Sequence, residues 1–386
     1  DGAGPDEAAR DICRLNQLTG GTARGARLYR NAEDAPNLLR LKLYSLAALA
    51  LSDAVPALEN FGFRVLEELP TLLGDHGNLG HIHRFILALP EGQDAAALLD
   101  RAEIVEPALS AVLEGRAEND RFNQLMVGAG LDERGVILLR ALFRYLRQTG
   151  LAYGLQTVAD ALRKAAPVAQ ALIALFDALH DPAHQAQSAP LADAANAAIE
   201  AGLGGVAAID DDRILRLYRA VIRATLRTNM FAPAAAEALA FKLESAQVPG
   251  LPDPKPWREI FVYSPRVEGI HLRAGPVARG GLRWSDRRDD FRTEILGLMK
   301  AQRVKNAVIV PTGAKGGFYP KHLPDPANRD AWLAEGTESY RIFIRTLLSI
   351  TDNLVQGKVV HPDHVVIRDG EDPYFVVAAD KGTATF

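Results

Sequence analysis

A lysine in the C-terminal third of the sequence lies between glycines, directly after an apolar segment. Lys315 occurs in "TGAKGG" and follows residues 307–311, which are predicted to form a β-strand. Gly313 and Gly316 would let backbone and a ligand approach each other closely beside the lysine, since glycine has no side chain. Such a lysine is suited to acid–base chemistry. The alternative is a tight turn with an exposed lysine.

Two arginines surround a second pair of glycines in "ARGGLRWSD", residues 278–286. Arg279 precedes Gly280 and Gly281, and Arg283 follows them. The planar guanidinium group binds carboxylate or phosphate with two parallel hydrogen bonds. This stretch therefore suits capture of an anion, with a solvated loop as the alternative.

The segment 287–305 is predicted to be a helix with one apolar stripe. Its stripe continues at Gln302 and, one turn later, at Lys305. An amide and an ammonium group therefore occupy positions where core residues are expected. Burial of a lysine is costly unless it meets an anionic partner, so both residues are candidates for binding a carboxylate. Alternatively, the helix has reached the surface and both side chains are solvated.

Asp380 follows the predicted strand 374–379, as Lys315 follows the strand 307–311. In open α/β sheets, ligands bind outside the carboxyl ends of the strands. Both residues are therefore predicted to lie where catalytic groups are common.

The elements that must position these residues suggest a multidomain protein of mixed α+β and α/β class. Residues 38–95 read as strand, helix with Ser52 as N-cap, and two further strands. An Ala- and Leu-rich helical region follows, and it includes helical patterns at 134–150, 157–181 and 210–231. The predicted segments are an N-terminal segment 1–35, an α+β unit 36–96, a helical domain 97–246, a proline-rich linker 247–257 and an α/β domain 258–386. In the last domain, strands alternate with long helices at 287–305 and about 328–355, which predicts a mostly parallel sheet.

Composition excludes several classes of protein. The 386-residue chain has 48% hydrophobic residues and a formal net charge of −4, so neither a disordered protein nor a nucleic-acid binder is expected. Its apolar runs are too short for a membrane span, and its single cysteine fits a reducing compartment, so a cytoplasmic location is predicted. The chain opens with Asp1 rather than methionine, which suggests that it begins inside a longer polypeptide.

Two apparent motifs are better explained without ligands. The histidines at 76, 81, 83, 180, 184, 361 and 364 lack the set of carboxylates or cysteines that a metal site needs, so we interpret them as surface or loop residues and predict no metal. "GAGLDE" at 128–133 follows a helical pattern and ends in Glu, so it is not a usable dinucleotide fingerprint.

The strings "ARGGLRW", "QRVKNAVIVPTGAKGG" and "VVAADKG" resemble, in order and spacing, the substrate-domain motifs of glutamate dehydrogenases. Over 258–386 the chain is similar to the large NAD-specific glutamate dehydrogenases of bacteria. Upstream, 39–68 and 131–150 resemble that family's ACT-like regulatory and helical segments.

This resemblance implies a role for each candidate residue. Lys315 matches the catalytic lysine, which polarises the 2-oxo group or activates the water that attacks the iminium. Asp380 matches the aspartate that transfers protons to and from the amino nitrogen. Gln302 and Lys305 match the pair that holds the α-carboxylate of the substrate. Arg279 replaces a lysine that contacts the side-chain carboxylate in smaller family members.

The resemblance also implies NAD as cofactor, glutamate, 2-oxoglutarate and ammonia as reactants, and a homo-oligomer. In this family the Rossmann domain follows the substrate domain, whereas this chain ends six residues after Asp380. The sequence is therefore interpreted as a fragment that is inactive alone, and its cofactor-binding residues are unknown. The alternatives are a leucine or phenylalanine dehydrogenase and a non-catalytic module that senses amino acids.

Overall fold

A computed structural model describes residues 4–305, 312–375, 378–379 and 383–384, with only the helical backbone of 303–305. The chain divides into two compact units. Unit 1 comprises Asp1–Ile137 and Leu155–Ala166, and unit 2 comprises Leu138–Gly154 and Pro167–Phe386.

The described residues form twelve α-helices and twelve β-strands. The helices are α1 Pro5–Asn16, α2 Leu51–Asn60, α3 Ala95–Leu99, α4 Ala102–Leu113, α5 Gln124–Gly128, α6 Glu133–Gln148, α7 Leu155–Lys164, α8 Ala166–His180, α9 Ser188–Leu203, α10 Ile209–Ala224, α11 Phe291–Lys305 and α12 Arg329–Leu348. The strands are β1 Arg24–Tyr29, β2 Leu38–Ser45, β3 Arg64–Leu73, β4 Gly80–Ala88, β5 Thr225–Thr228, β6 Leu239–Glu244, β7 Arg258–Tyr263, β8 Val267–Arg273, β9 Leu282–Trp284, β10 Ala314–Pro320, β11 Asn353–Val355 and β12 Lys358–Val360.

Unit 1 contains a four-stranded antiparallel sheet in the order β1-β2-β4-β3. The predicted strands and helix of 38–95 are confirmed as β2, α2, β3 and β4. The predicted N-cap is wrong, because Ala50 caps α2 and Ser52 lies within its first turn. The sheet also gains β1 from the predicted N-terminal segment, since β1 pairs with β2 along its whole length.

Unit 2 contains a six-stranded sheet in the order β5-β6-β7-β8-β10-β9. Its described part is mixed rather than mostly parallel: only β10 and β9 pair in parallel, and the other four pairings are antiparallel. The reason lies in the connections. β7 and β8 are separated by three residues, 264–266, which allow a hairpin but not the long crossover that parallel neighbours need. The predicted strand 307–311 lies outside the described residues.

Several predicted helices of unit 2 end early. The pattern at 210–231 ends as a helix at Ala224 and continues as β5, because all four residues of β5 are buried in the pairing with β6. The helix predicted to reach 355 ends at Leu348, and a β11–β12 hairpin follows. Segment 247–257 connects β6 to β7, which are neighbours in one sheet, so it runs within unit 2. The division of the chain into the five segments 1–35, 36–96, 97–246, 247–257 and 258–386 stays a prediction.

The two faces of the six-stranded sheet can be assigned from the register, because successive side chains of a strand point to opposite faces. The α11 face carries Glu259, Phe261, Glu268, Ile270, Leu272, Lys315 and Gly317. The α12 face carries Ala240, Ile260, Val262, Gly269, His271, Gly316 and Phe318. Each face is named after the helix that packs against it. A Cβ at Gly317 would meet Ile295 of α11, and one at Gly269 would meet Phe343 of α12.

Candidate active site

Residues 279–284 form the centre of the candidate site, because two distant segments pair with them. Arg279 forms a parallel bridge with Gly313, and its carbonyl oxygen accepts a hydrogen bond of 2.9 Å from the amide of Ala314. On the other side, Leu282 forms a parallel bridge with Ala379. The fold thus brings together three of the segments that sequence motifs identified.

Lys315 is the second residue of β10 rather than part of a turn. Lys315 is 4% exposed and lies opposite Leu272 of β8 on the α11 face. Residue patterns did not predict this strand, because three glycines within 313–317 are unfavourable for β-structure. A buried amine on a packed sheet is held in one position, which a reactive group requires.

The glycines around Lys315 have a packing reason of their own. A Cβ at Gly317 would lie 2.8 Å from Cγ1 of Ile295, and one at Gly316 would lie 3.1 Å from Cδ2 of His271. A Cβ at Gly280 would overlap the backbone of Ala314. Close approach of β9, β10 and α11 therefore requires glycine at these positions. A role in ligand binding for Gly280, Gly281, Gly313 and Gly316 stays a prediction.

The remaining predicted residues occupy different environments. The side chain of Arg279 is exposed, and that of Gln302 is half-buried in the last turns of α11. Lys305 is the last residue of α11, and its side chain lies outside the described residues. Asp380 also lies outside them, one position after Ala379.

The apolar stripe that predicted α11 is confirmed, since Phe291, Ile295 and Met299 are buried. Leu298 is half-buried, and Leu296 is buried instead. The helix begins at Phe291 rather than at 287.

A buried carboxylate that sequence reasoning missed lies on the same face. Both oxygens of Glu259 on β7 are occupied: Oε2 accepts hydrogen bonds from Nε and Nη2 of Arg292 at 2.9 and 2.7 Å, and Oε1 accepts one from the hydroxyl of Tyr145. Burial, followed by the charge of Glu259, raises the pKa of Tyr145 well above its usual range, which keeps the phenol protonated as a donor. The available signal was alternation, because Glu259 shares its face with Phe261 and Tyr263, and every strand residue after Glu259 is apolar or aromatic.

A second buried carboxylate, Glu268, lies on the neighbouring strand β8. It accepts hydrogen bonds from Nε of Arg144 at 2.9 and 3.1 Å and forms an ion pair with Nζ of Lys321 at 3.1 Å. Burial raises the pKa of Glu268, although Arg144 opposes the change. Burial also lowers the pKa of Lys321 to about 7. This lysine, just after β10, was not singled out from the sequence.

The α12 face carries a third buried ionic cluster, the aspartate network, at the end of the sheet near β5 and β6. Arg227 donates to Asp352 at 2.7 Å and to Asp369 at 2.6 Å, and Lys242 pairs with Asp369 at 2.5 Å. The network comprises Asp352, Asp369 and Asp372 with Arg227, Lys242 and Arg273. It binds the segment around 369–372 to the sheet.

The histidines are less uniformly exposed than predicted. His180 is 1% exposed, and burial lowers its pKa to about 3. His83 lies buried on β4 and shares a hydrogen bond of 2.7 Å with Glu68. Throughout the part of the chain that the structure describes, no group of three potential metal ligands occurs. Within the same residues, none of the helices is long and apolar enough to cross a membrane.

Three protein families match successive parts of the chain. "Glutamate dehydrogenase, ACT3 domain" matches residues 24–102, and "Glutamate dehydrogenase, helical motif 3" matches 117–182. "Bacterial NAD-glutamate dehydrogenase, catalytic domain" matches 198–386 and so includes both Lys315 and the strand that carries Glu259.

Curated relatives agree with these matches. NAD-specific glutamate dehydrogenases from Pseudomonas aeruginosa, Halomonas elongata and Mycobacterium tuberculosis are 47%, 45% and 44% identical, over 99%, 98% and 99% of this chain. The chain spans about a quarter of their length, 24% in each case. Together with the order of the three matched domains, these identities show that the chain belongs to the family of bacterial NAD-specific glutamate dehydrogenases.

Proposed function

We propose that this chain carries the amino-acid site of an NAD-dependent glutamate dehydrogenase, which converts L-glutamate, NAD⁺ and water to 2-oxoglutarate, ammonium, NADH and a proton. The observation that supports the proposal is that two distant segments pair with residues 279–284. One of them includes the buried Lys315, and the other ends at the residue before Asp380.

Lys315 and Asp380 manage the protons in this proposal. The lysine activates the water that attacks the iminium carbon, or polarises the 2-oxo group in the reverse direction. The aspartate accepts and returns protons at the amino nitrogen. Burial of Lys315 supports this role, since a fixed amine in a site of low dielectric acts more strongly on a carbonyl than a solvated one.

The two carboxylates of glutamate are held at different places. Gln302 and Lys305, at the end of α11, bind the α-carboxylate. Arg279 binds the side-chain carboxylate with its guanidinium fork, and its exposed position leaves the group free to meet a ligand. Gly280, Gly281, Gly313 and Gly316 line the backbone side of the site.

NAD serves as the hydride acceptor in the overall reaction, but the described residues offer no recognisable place for it. Within unit 2, residues 285–290 and 321–328 connect a strand to the following helix, and neither connection contains the glycines of a dinucleotide-binding turn. We therefore assign no residue of this chain to NAD. The proposed enzyme is a homo-oligomer of the cytoplasm.

Steady-state assays on a full-length enzyme that carries this chain test the proposal. We expect glutamate-dependent reduction of NAD, and a fall in kcat of about 10²- to 10⁴-fold in Lys315→Ala, because the general acid–base group is lost. Leucine and phenylalanine serve as control substrates. Absence of glutamate turnover in the wild type, or a wild-type rate in Lys315→Ala, would contradict the assignment. Faster turnover of leucine or phenylalanine would instead identify a related dehydrogenase.

A further inference from the structure

We infer that Glu259 is a positioning residue for the substrate carboxylate. It fixes the direction of α11 and thereby the place of Gln302 and Lys305 relative to Lys315. This inference rests on the proposed function, because it assumes that the last turn of α11 meets the substrate.

The contacts of Glu259 connect three elements. Its carboxylate, on β7, receives Arg292 from the first turn of α11 and Tyr145 from α6. Glu259 is 0% and Arg292 1% exposed, so this ion pair is shielded from water and salt.

The start of α11 is held by a second, independent set of hydrogen bonds. Gln148 of α6 donates from Nε2 to the carbonyl oxygen of Arg288 at 2.9 Å, and its Oε1 accepts a hydrogen bond of 3.2 Å from the backbone amide of Arg292. The amides of a first helical turn have no partner within their own helix. A side chain from another helix therefore caps α11 and fixes its rotation about its axis.

Cohesion alone does not explain an ion pair at this position. A buried pair of charges stabilises a fold no better than well-packed apolar side chains of similar volume, because both ions lose their hydration. What distinguishes the ion pair is its directionality, since two hydrogen bonds from the guanidinium of Arg292 and one from the phenol of Tyr145 restrict both angle and distance. The neighbouring residues on α11, Phe291 and Ile295, already supply apolar contact.

The length of α11 makes this anchor important for the site. Gln302 lies ten residues after Arg292, which corresponds to about 15 Å along the helix axis. A tilt of about 4° at the anchored end would therefore move Gln302 by about 1 Å, and a displacement of that size costs on the order of 100-fold in a reaction that depends on position. Within the first two turns of α11, Glu294 accepts a hydrogen bond of 2.6 Å from the hydroxyl of Ser285, and Ile295 packs against Gly317 of β10.

Glu259→Gln in the full-length enzyme tests the inference, with Glu268→Gln as the matched control. Both residues are 0% exposed on neighbouring strands of one face, but Glu268 binds Arg144 and Lys321, neither of which belongs to α11. We expect Glu259→Gln to raise the KM for glutamate and for 2-oxoglutarate about 10- to 100-fold, with the KM for NAD unchanged. Glu268→Gln is expected to lower the melting temperature without changing any KM.

A purely structural role would lower the melting temperature in both variants and leave both substrate KM values at wild type, and that result would overturn the inference. If Glu259→Gln does not fold, Gln148→Met removes the cap and leaves the ion pair. It is expected to raise the same KM values about two- to tenfold, and wild-type values would overturn the inference. A wild type without glutamate turnover would overturn the proposed function itself, whereas an active wild type with normal KM values in the variants would overturn only the positioning role.

Discussion

The two faces of the six-stranded sheet are held against their helices in different ways. On the α12 face, apolar residues of the sheet that include Val262 and Phe318 pack against Phe343 of α12, and the aspartate network lies at one end of the sheet. On the α11 face, fully buried carboxylates at Glu259 and Glu268 lie within the sheet itself and bind arginines of α11 and α6.

This difference separates contacts that only hold a helix against the sheet from contacts that also fix the orientation of the helix. Apolar packing tolerates small movements, because it depends on the area that is buried rather than on angles. Buried hydrogen-bonded charges hold one arrangement, because any other leaves a desolvated charge without its partner. On the face that carries Lys315, a directional contact from Glu259 to Arg292 reaches the packing helix itself, as expected if α11 must present residues to a substrate.

Alanine substitutions at Gly317 and Gly269 test the difference between the two faces. We expect their effects to be larger than the pH effect in the aspartate network. Ala at Gly317 would place a Cβ 2.8 Å from Cγ1 of Ile295 and displace α11. Ala at Gly269 would place one 2.6 Å from Cδ2 of Phe343 and 2.9 Å from the carbonyl oxygen of Gly317, and so would displace α12 and crowd the backbone of β10. We expect each substitution to lower the free energy of unfolding by about 1–3 kcal/mol, the usual cost of overpacking.

Only Gly317→Ala is expected also to raise the KM for glutamate, by at least about tenfold. Chemical denaturation and steady-state kinetics on the two full-length variants measure both quantities. An equal rise of KM in Gly269→Ala would show that the two faces do not differ in the way described.

The aspartate network gives a smaller effect that depends on pH. Burial would raise the pKa of Asp352, but hydrogen bonds from Arg227, the amide of Asp372 and His361 outweigh burial and hold the pKa at about 2. Because this pKa is below the ordinary aspartate value of 3.8, the carboxylate contributes stability above about pH 4 and loses it as the pH falls towards 2. The contribution is about 2 kcal/mol.

Urea denaturation of wild type and Asp352→Asn between pH 6 and pH 3 checks this expectation. The wild type should lose its advantage over the variant as the pH falls, while the KM for glutamate at neutral pH stays the same in both proteins. A stability difference that does not depend on pH would show that Asp352 acts by packing rather than by charge.

Regular amphipathic elements were predictable from the sequence, and those that depend on long-range pairing were not. The strands of 38–95 and helices α6 and α11 were predicted from the periodicity of their apolar residues. β10 lacked any such signal: "AKGGFYP" is glycine-rich, and it forms a strand because β8 and β9 pair with it on both sides. The mixed sheet could have been expected from the three-residue connection between β7 and β8.

The residues of the candidate site also fall into those that the sequence predicts and those that only the fold reveals. Motifs identified Lys315, Arg279 and Gln302, since those residues lie in short strings that resemble the family's motifs. The partners of Glu259 were not predictable, because Arg292 is 33 residues away and Tyr145 is 114 residues away along the chain. Periodicity shows that an acidic residue faces the interior, but only the assembled fold shows what it binds.

The most direct test of the central claim is to locate the bound substrate. We would determine the structure of a full-length enzyme that carries this chain in complex with 2-oxoglutarate. We expect the ligand on the α11 face, with one carboxylate at the last turn of α11 and the 2-oxo group beside Lys315. A ligand bound within residues 38–95 of unit 1, with the surroundings of Lys315 empty, would contradict the catalytic account and indicate an amino-acid sensor.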